Sequence, residues 1–159
     1  AAGFAQTTDF HTINFNLTEG ALIDLSDDSD MDFALTLSAL PADAGLAPTG
    51  GPYTATRYLY YTVLSEDTNP QIAASLDAAL PAGLTLELAA TAATGGAGTR
   101  GVGQTIAAVD NTAQALVTGI GSCFTSRTAN ATAVVYTLTM SNYTGVSISR
   151  DLTYTISGW

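Results

Sequence analysis

The sequence predicts an all-β protein, and three observations lead to that class. Apolar and polar residues alternate with period two in many short stretches, which is typical of strands with one buried and one wetted face. Glycine and proline clusters separate these stretches. No stretch has the period of a long amphipathic helix. About nine or ten short antiparallel strands are therefore expected in a chain of 159 residues, which suits one domain.

The first half of the chain contains four predicted strands. Alternation covers residues 11–17 and 31–37, and a shorter apolar run covers 21–25. Residues 40–52 contain three prolines and three glycines, so a long loop is expected there. The stretch 57–64 is rich in aromatic and β-branched residues, which favour a strand.

Three later stretches, 84–89, 132–140 and 152–156, carry apolar residues at every second position and predict strands, and the first of them alternates strictly. Residues 71–80 fit either a helix or a strand, and the strand is favoured because strand signals flank them. The apolar faces of these later strands predict a core that contains Leu84, Leu86, Leu88, Tyr136, Leu138, Tyr154 and Ile156.

The region between residues 91 and 124 is predicted to be less regular. Five glycines in 91–103 predict a flexible loop. Residues 105–109 and 114–120 are expected to form a hairpin, and residues 119–124 are expected to bend away from it. The strand spacing as a whole favours an immunoglobulin-like β-sandwich over residues 10–159, with residues 1–9 as a tether. A jelly roll is the alternative.

The charge composition excludes several classes of function. The chain has 14 acidic residues, four arginines and no lysine, for a net charge of −10. Nucleic-acid binding needs clustered cations, and Schiff-base or P-loop chemistry needs a lysine, so neither is expected. His11 is the one histidine and Cys123 the one cysteine. We expect no enzyme, no internal disulfide and, because no apolar run is long enough, no membrane span.

The acidic segment around residue 30 is the one candidate metal site. Asp28, Asp30 and Asp32 have the spacing that opens many calcium loops, and Ca²⁺ prefers carboxylate oxygens. Phe33 stands where such a loop has glycine, and the distal glutamate is missing. Calcium is therefore the candidate cofactor, and a solvated acidic turn is the alternative.

Two further features have both a functional and a structural interpretation. Cys123 is an intermolecular cross-link, a lipidation site, a nucleophile paired with His11, or a small buried side chain, and Ile120 and Phe124 beside it favour burial. The tyrosines at 53, 58, 60 and 61 either stack on a glycan or belong to ordinary strands.

Three segments carry a resemblance to known proteins: LPAGLTL at 80–86, TGIGSCFT at 118–125 and LTYTI at 152–156. Together they resemble a group of small, uncharacterised secreted bacterial β-sandwich proteins. In general form the chain also resembles pilin-like fibre subunits, in which a strand of one subunit completes the next. The resemblance implies an extracellular or cell-surface role. The small, polar start of the chain is consistent with an exported protein whose signal peptide has been removed.

The N-terminal segment is the candidate subunit interface. Its apolar residues are Phe10, Ile13, Phe15 and Leu17, and most of them alternate with polar residues. Such a strand is suited to pair with the open edge of a neighbouring copy. The sequence thus predicts a structural subunit of an extracellular filament or surface layer, with identical subunits as head-to-tail partners. A carbohydrate- or surface-binding module, with a glycan as partner, is the alternative.

Overall fold

The computed structural model describes residues 12–14, 18–26, 43–46, 51–67, 69–141 and 148–159. Within these ranges the chain forms strands and no helix, so the all-β prediction is confirmed. The nine strands are β1 (Gly20–Leu25), β2 (Tyr53–Leu64), β3 (Gln71–Leu76), β4 (Leu84–Thr91), β5 (Ala97–Gly103), β6 (Thr105–Ile106), β7 (Gln114–Phe124), β8 (Thr132–Met140) and β9 (Leu152–Ser157).

All nine strands pair in the antiparallel sense and join into one sheet. The order is β6-β4-β8-β2-β7-β3-β9, with β1 paired to β2 and β5 paired to β7. The immunoglobulin-like sandwich and the jelly roll stay predictions, because a single hydrogen-bonded sheet does not distinguish them. Among the residues that the structure describes, no helix is both long and apolar enough to cross a membrane.

Two features curl this sheet around one core. The twelve-residue strand β2 pairs with β8 along its first half and with β1 along its second half, and it reaches β7 at Thr62 and Val63. Gln104, between β5 and β6, hydrogen-bonds to both sides. Its N–H donates to the Leu116 carbonyl of β7 at 2.8 Å, and its carbonyl accepts from Ala90 N–H of β4 at 2.9 Å.

The core lies on the inner face of the curled sheet. Leu88 and Tyr136 are buried there, as predicted, whereas the other five predicted core residues are only partly buried. Leu86, Tyr154 and Ile156 still pack against the core. The fully buried side chains of greatest volume come from β2, β3, β4, β7 and β8, and they include Leu59, Ile72, Leu88, Leu116 and Ile120.

The predicted loop at 91–103 is wrong over residues 97–103, which form β5 against β7, whereas residues 92–96 are in no strand. Glycine is what allows this strand to lie so close to its neighbour. Gly98 and Gly101 have φ values of 83° and 79°. A Cβ on Gly98 would lie 2.2 Å from the Ser122 carbonyl oxygen, and one on Gly101 would lie 2.7 Å from that of Thr118.

The predicted hairpin of residues 105–120 is wrong as well, because β6 pairs with β4 rather than with β7. Strand β7 does not end near residue 120 but continues to Phe124. The preference for a strand at 71–80 is confirmed over Gln71–Leu76. The predicted strand at 31–37 lies outside the described residues, as does most of the one at 11–17. Residues 12–14 of that stretch are described and are not in a strand.

Candidate functional site

Strands β1 and β9, which lie at the edges of the sheet among the described strands, contact each other and form the candidate site, here called the β1/β9 edge. Strand β1 pairs with β2 and strand β9 pairs with β3, and no other described strand pairs with either of them. The two strands are in contact, yet no ladder of hydrogen bonds joins them within the described ranges. Within the described ranges each strand therefore has one edge without a partner strand, and such an edge has backbone groups that can pair with a further strand.

The backbone of β1 has a definite orientation at this edge. Ser26 N–H donates to the Tyr58 carbonyl at 2.8 Å, at the end of the β1–β2 ladder. In an antiparallel ladder alternate residues direct their backbone groups to opposite edges. The even-numbered residues of β1 therefore bond to β2. Ala21, Ile23 and Leu25 direct their N–H and carbonyl groups to the outer edge.

The inner faces of the two edge strands are apolar but incompletely covered. In both strands these side chains pack against the core and remain partly exposed: Ala21, Ile23 and Leu25 in β1, and Leu152, Tyr154 and Ile156 in β9. Their ladder partners on β2 and β3 are much better buried, as Val63 and Ile72 are at 0% exposure. The core-facing side chains of β1 and β9 are therefore less covered than those of the strands they pair with.

The outer face carries a second apolar feature, the outer-face patch formed by Leu22, Thr62, Leu64 and Phe124. Leu22 and Phe124 lie on either side of Thr62 in adjacent strands, so the three side chains share one face. Leu22 is 75% exposed and Phe124 is 51% exposed. Sequence reasoning missed this patch, since an apolar run such as 21–25 does not show which of its residues face water.

Charged groups border the outer-face patch on two sides. On one side Arg127 Nη1 donates to Asp24 Oδ2 at 2.8 Å, and its guanidinium lies 5.1 Å from the centre of the Tyr60 ring. On the other side Glu66 N–H donates to Glu19 Oε1 at 2.7 Å, beside a shallow pocket. Both contacts are exposed, so they contribute little to stability.

Two tyrosine hydroxyl groups meet across the core behind β9. The Tyr136 oxygen of β8 lies 2.5 Å from the Tyr154 oxygen of β9. Burial raises the pKa of both phenols, and their mutual contact raises that of Tyr154 further. Both groups stay protonated at neutral pH, and each is the other's hydrogen-bond partner. The pair joins β9 to the opposite side of the core.

A second buried polar group lies near Cys123. The Tyr61 hydroxyl donates to the Arg100 carbonyl and lies 3.3 Å from Thr132 Oγ1. Burial raises the pKa of the Cys123 thiol, so it is a poor nucleophile at neutral pH. The interpretation of Cys123 as a small buried side chain is confirmed. This cluster is structural, because its polar groups are satisfied within the protein.

Most residues of the predicted sites lie outside the described residues. These are Asp28, Asp30 and Asp32 of the calcium segment, Phe10, Phe15 and Leu17 of the predicted interface, and His11. Ile13 is described and is 60% exposed. In the part of the chain that the structure describes, no three metal-ligating side chains come together.

Comparison with known proteins adds no family to this picture. No family model matches the chain, and neither a curated protein nor a solved structure is significantly similar to it. The described residues of the β1/β9 edge and of the outer-face patch present partly exposed apolar side chains and backbone hydrogen-bonding groups.

Proposed function

We propose that this protein is a non-enzymatic structural subunit of an extracellular filament or cell-surface layer, assembled by donation of a β-strand between copies. The observation that carries the proposal is the β1/β9 edge. There, apolar side chains of two edge strands are only partly buried, and β1 directs backbone groups away from its partner β2. A strand from another copy would bind those backbone groups and cover those side chains.

The N-terminal segment supplies the strand in this proposal. Its residues Ile13, Phe15 and Leu17 alternate with polar ones, as a donated strand requires. Ile13 is 60% exposed in the monomer, and residues 12–14 are not in a strand. If each copy donates its N-terminal strand to the next copy and accepts a strand from the previous one, the chain of copies is an open polymer.

The test is a pair of N-terminal deletions studied by negative-stain electron microscopy and light scattering. Removal of residues 1–17 should give a soluble monomer that binds the excised segment as a peptide. Removal of residues 1–9 is the matched control and should leave assembly intact, because the apolar positions from Phe10 onward remain. Filaments from the shorter protein, or a full-length protein that stays monomeric at high concentration, would contradict the proposal.

A carbohydrate-binding module is the second candidate function. The observation that favours it is the exposed ring of Phe124 on the outer face, in the strand next to Tyr60. Aromatic rings on a sheet face can stack on sugar rings. Glycan-array binding that is lost in Phe124→Ala, from a protein that stays monomeric, would favour this function over the filament.

A further inference from the structure

The outer-face patch places large apolar side chains side by side in adjacent strands. Leu22, Thr62 and Phe124 form one row across β1, β2 and β7, and Leu64 follows two residues further along β2. Leu22 is 75% exposed, Phe124 is 51% exposed and Leu64 is 40% exposed. Neighbouring apolar side chains that are exposed to this extent commonly mark a contact with another molecule. All four residues are described, and the patch belongs to a face of the sheet rather than to an edge.

The charges beside the patch differ between its two ends. Tyr60 and Leu64 are the outward-facing residues of β2 on either side of the row. At the Tyr60 end, the Arg127 guanidinium lies 5.1 Å from the centre of the Tyr60 ring. Beyond Leu64, at the other end, Glu66 N–H donates to Glu19 Oε1, and the side chains of both glutamates are exposed. A guanidinium therefore lies at one end and two carboxylates lie at the other.

We infer that the outer-face patch binds the same patch of a second copy of this chain, about a two-fold axis that runs along the row and perpendicular to the strands. Each residue of the row then meets its own counterpart, and Leu64 lies against Tyr60 of the second copy. The Arg127 end of each copy faces the glutamate end of the other, so the contact between opposite charges occurs twice. An isologous contact of this kind closes as a dimer.

The charges favour this axis over the other two-fold axis that a face-to-face contact allows. An axis parallel to the strands would place Arg127 against Arg127 and glutamates against glutamates, and like charges in contact oppose binding. The perpendicular axis instead brings each guanidinium to carboxylates of the other copy. Arg127 already donates to Asp24 through Nη1, but a guanidinium has five N–H donors and can bind a second carboxylate.

The contact is small, so a weak dimer that forms at high protein concentration is expected. Four apolar or hydroxyl side chains and their charged neighbours cover less than the roughly 800 Å² per partner that a stable complex usually buries. The net charge of −10 on each copy also opposes approach at long range. The inference does not rest on strand donation, because it uses a face of the sheet. In a filament built by strand donation, the same contact would join two neighbouring filaments.

Charge reversal tests the contact, with sedimentation equilibrium of the full chain in about 0.15 M salt, where the Debye length is about 8 Å. Arg127→Glu should raise the dissociation constant of the dimer about tenfold or more, because both contacts between opposite charges become repulsive. Glu66→Arg should have the same effect for the same reason. A mixture of the two single variants should form a heterodimer of about the parent's affinity, because both contacts then join opposite charges again.

Arg150→Glu is the matched control, since it makes the same change of charge away from the patch. Arg150 donates to the Ala79 carbonyl, beyond the end of β3 that pairs with Gln114, whereas Phe124 ends β7 at the other side. This variant should dimerise as the parent does. Phe124→Ala should weaken the dimer, because it removes an apolar side chain from the row.

A dimer that Arg127→Glu does not weaken, or that the mixture of single variants does not restore, would overturn the inference. A parent protein that stays monomeric at every concentration would overturn it as well. Labelling of Leu22→Cys by a thiol reagent, in a Cys123→Ala background, would then show whether the patch is free or covered by the same chain. Glycan binding lost in Phe124→Ala would assign the patch to a sugar instead.

Electron microscopy of the same variants separates failure of this inference from failure of the proposed function. If the parent protein polymerises, its filaments should be paired, and Arg127→Glu should separate them into single filaments. Single filaments of the parent would overturn the inference and leave strand donation standing. A dimer that obeys the charge reversals but never forms filaments would support the inference and contradict the proposed function.

Discussion

Gly98 is the position at which the pairing of β5 with β7 can be tested most sharply. Its φ of 83° is in the left-handed region, where an L-residue costs roughly 1–2 kcal/mol. A Cβ there would also lie 2.2 Å from the Ser122 carbonyl oxygen and 2.8 Å from the Cys123 Cα. Both contacts are with backbone atoms, so β5 would have to move away from β7. Such overpacking typically costs about 1–3 kcal/mol.

Gly98→Ala should therefore lower the free energy of unfolding by about 2–5 kcal/mol, the sum of the two effects. Gly119→Ala is the matched control. Gly119 also has a positive φ, 65°, but a Cβ on it would meet no atom within 4 Å. Its replacement should cost only the backbone contribution of roughly 1–2 kcal/mol.

Guanidinium denaturation followed by circular dichroism measures both values, since the midpoint and the slope together give the free energy of unfolding. The difference between the two variants isolates the contact of β5 with β7. Equal losses in Gly98→Ala and Gly119→Ala would refute the reasoning, because the backbone of β7 would then not limit the approach of β5.

The remaining predictions concern the core, the tyrosine pair and the acidic segment. Leu88→Ala should cost about 2–5 kcal/mol in urea denaturation because Leu88 is fully buried, and Leu86→Ala should cost clearly less because its side chain is half-buried; equal losses would contradict the placement of the core. Tyrosine in the unfolded chain titrates near pH 10, and burial raises the pKa of Tyr136 and Tyr154 in the folded state. The two phenols contribute their full stabilisation below about pH 10, and they lose it as the pH rises toward their pKa values in the folded state. The free energy of unfolding should therefore fall less steeply above about pH 10 in Tyr154→Phe than in the parent protein. Millimolar calcium should leave the melting temperature nearly unchanged if the acidic segment is a solvated turn, whereas a rise that Asp28→Asn abolishes would establish a calcium site.

The sequence located those strands in which apolar and polar side chains alternate, because the alternation distinguishes the buried face from the exposed face. Residues 84–89, 132–140 and 152–156 carry apolar side chains at every second position, and each stretch lies in an observed strand. The buried Leu88 and Tyr136 could be assigned for the same reason. Alternation is a local property, because every second side chain of a strand faces the same medium.

The tertiary structure alone decided the features that depend on distant partners. Residues 97–103 have the composition of a loop and form a strand because β7 lies close enough to bond to a glycine backbone. Thr105 and Ile106 pair with β4, although β7 is nearer in sequence. No local pattern specifies a pairing partner, since a ladder is formed between segments that only the fold brings together.

The candidate site also has features that the sequence shows and features that only the tertiary structure shows. The sequence by itself determined that the stretch before β1 alternates, and that the chain lacks the lysines and histidine clusters that much catalysis needs. Only the tertiary structure decided that β1 has β2 as its one partner among the described strands, that Leu22 is 75% exposed and that Ile23 faces the core. Leu22 and Ile23 are chemically alike and adjacent, and their difference arises solely from which side of β1 the rest of the molecule covers.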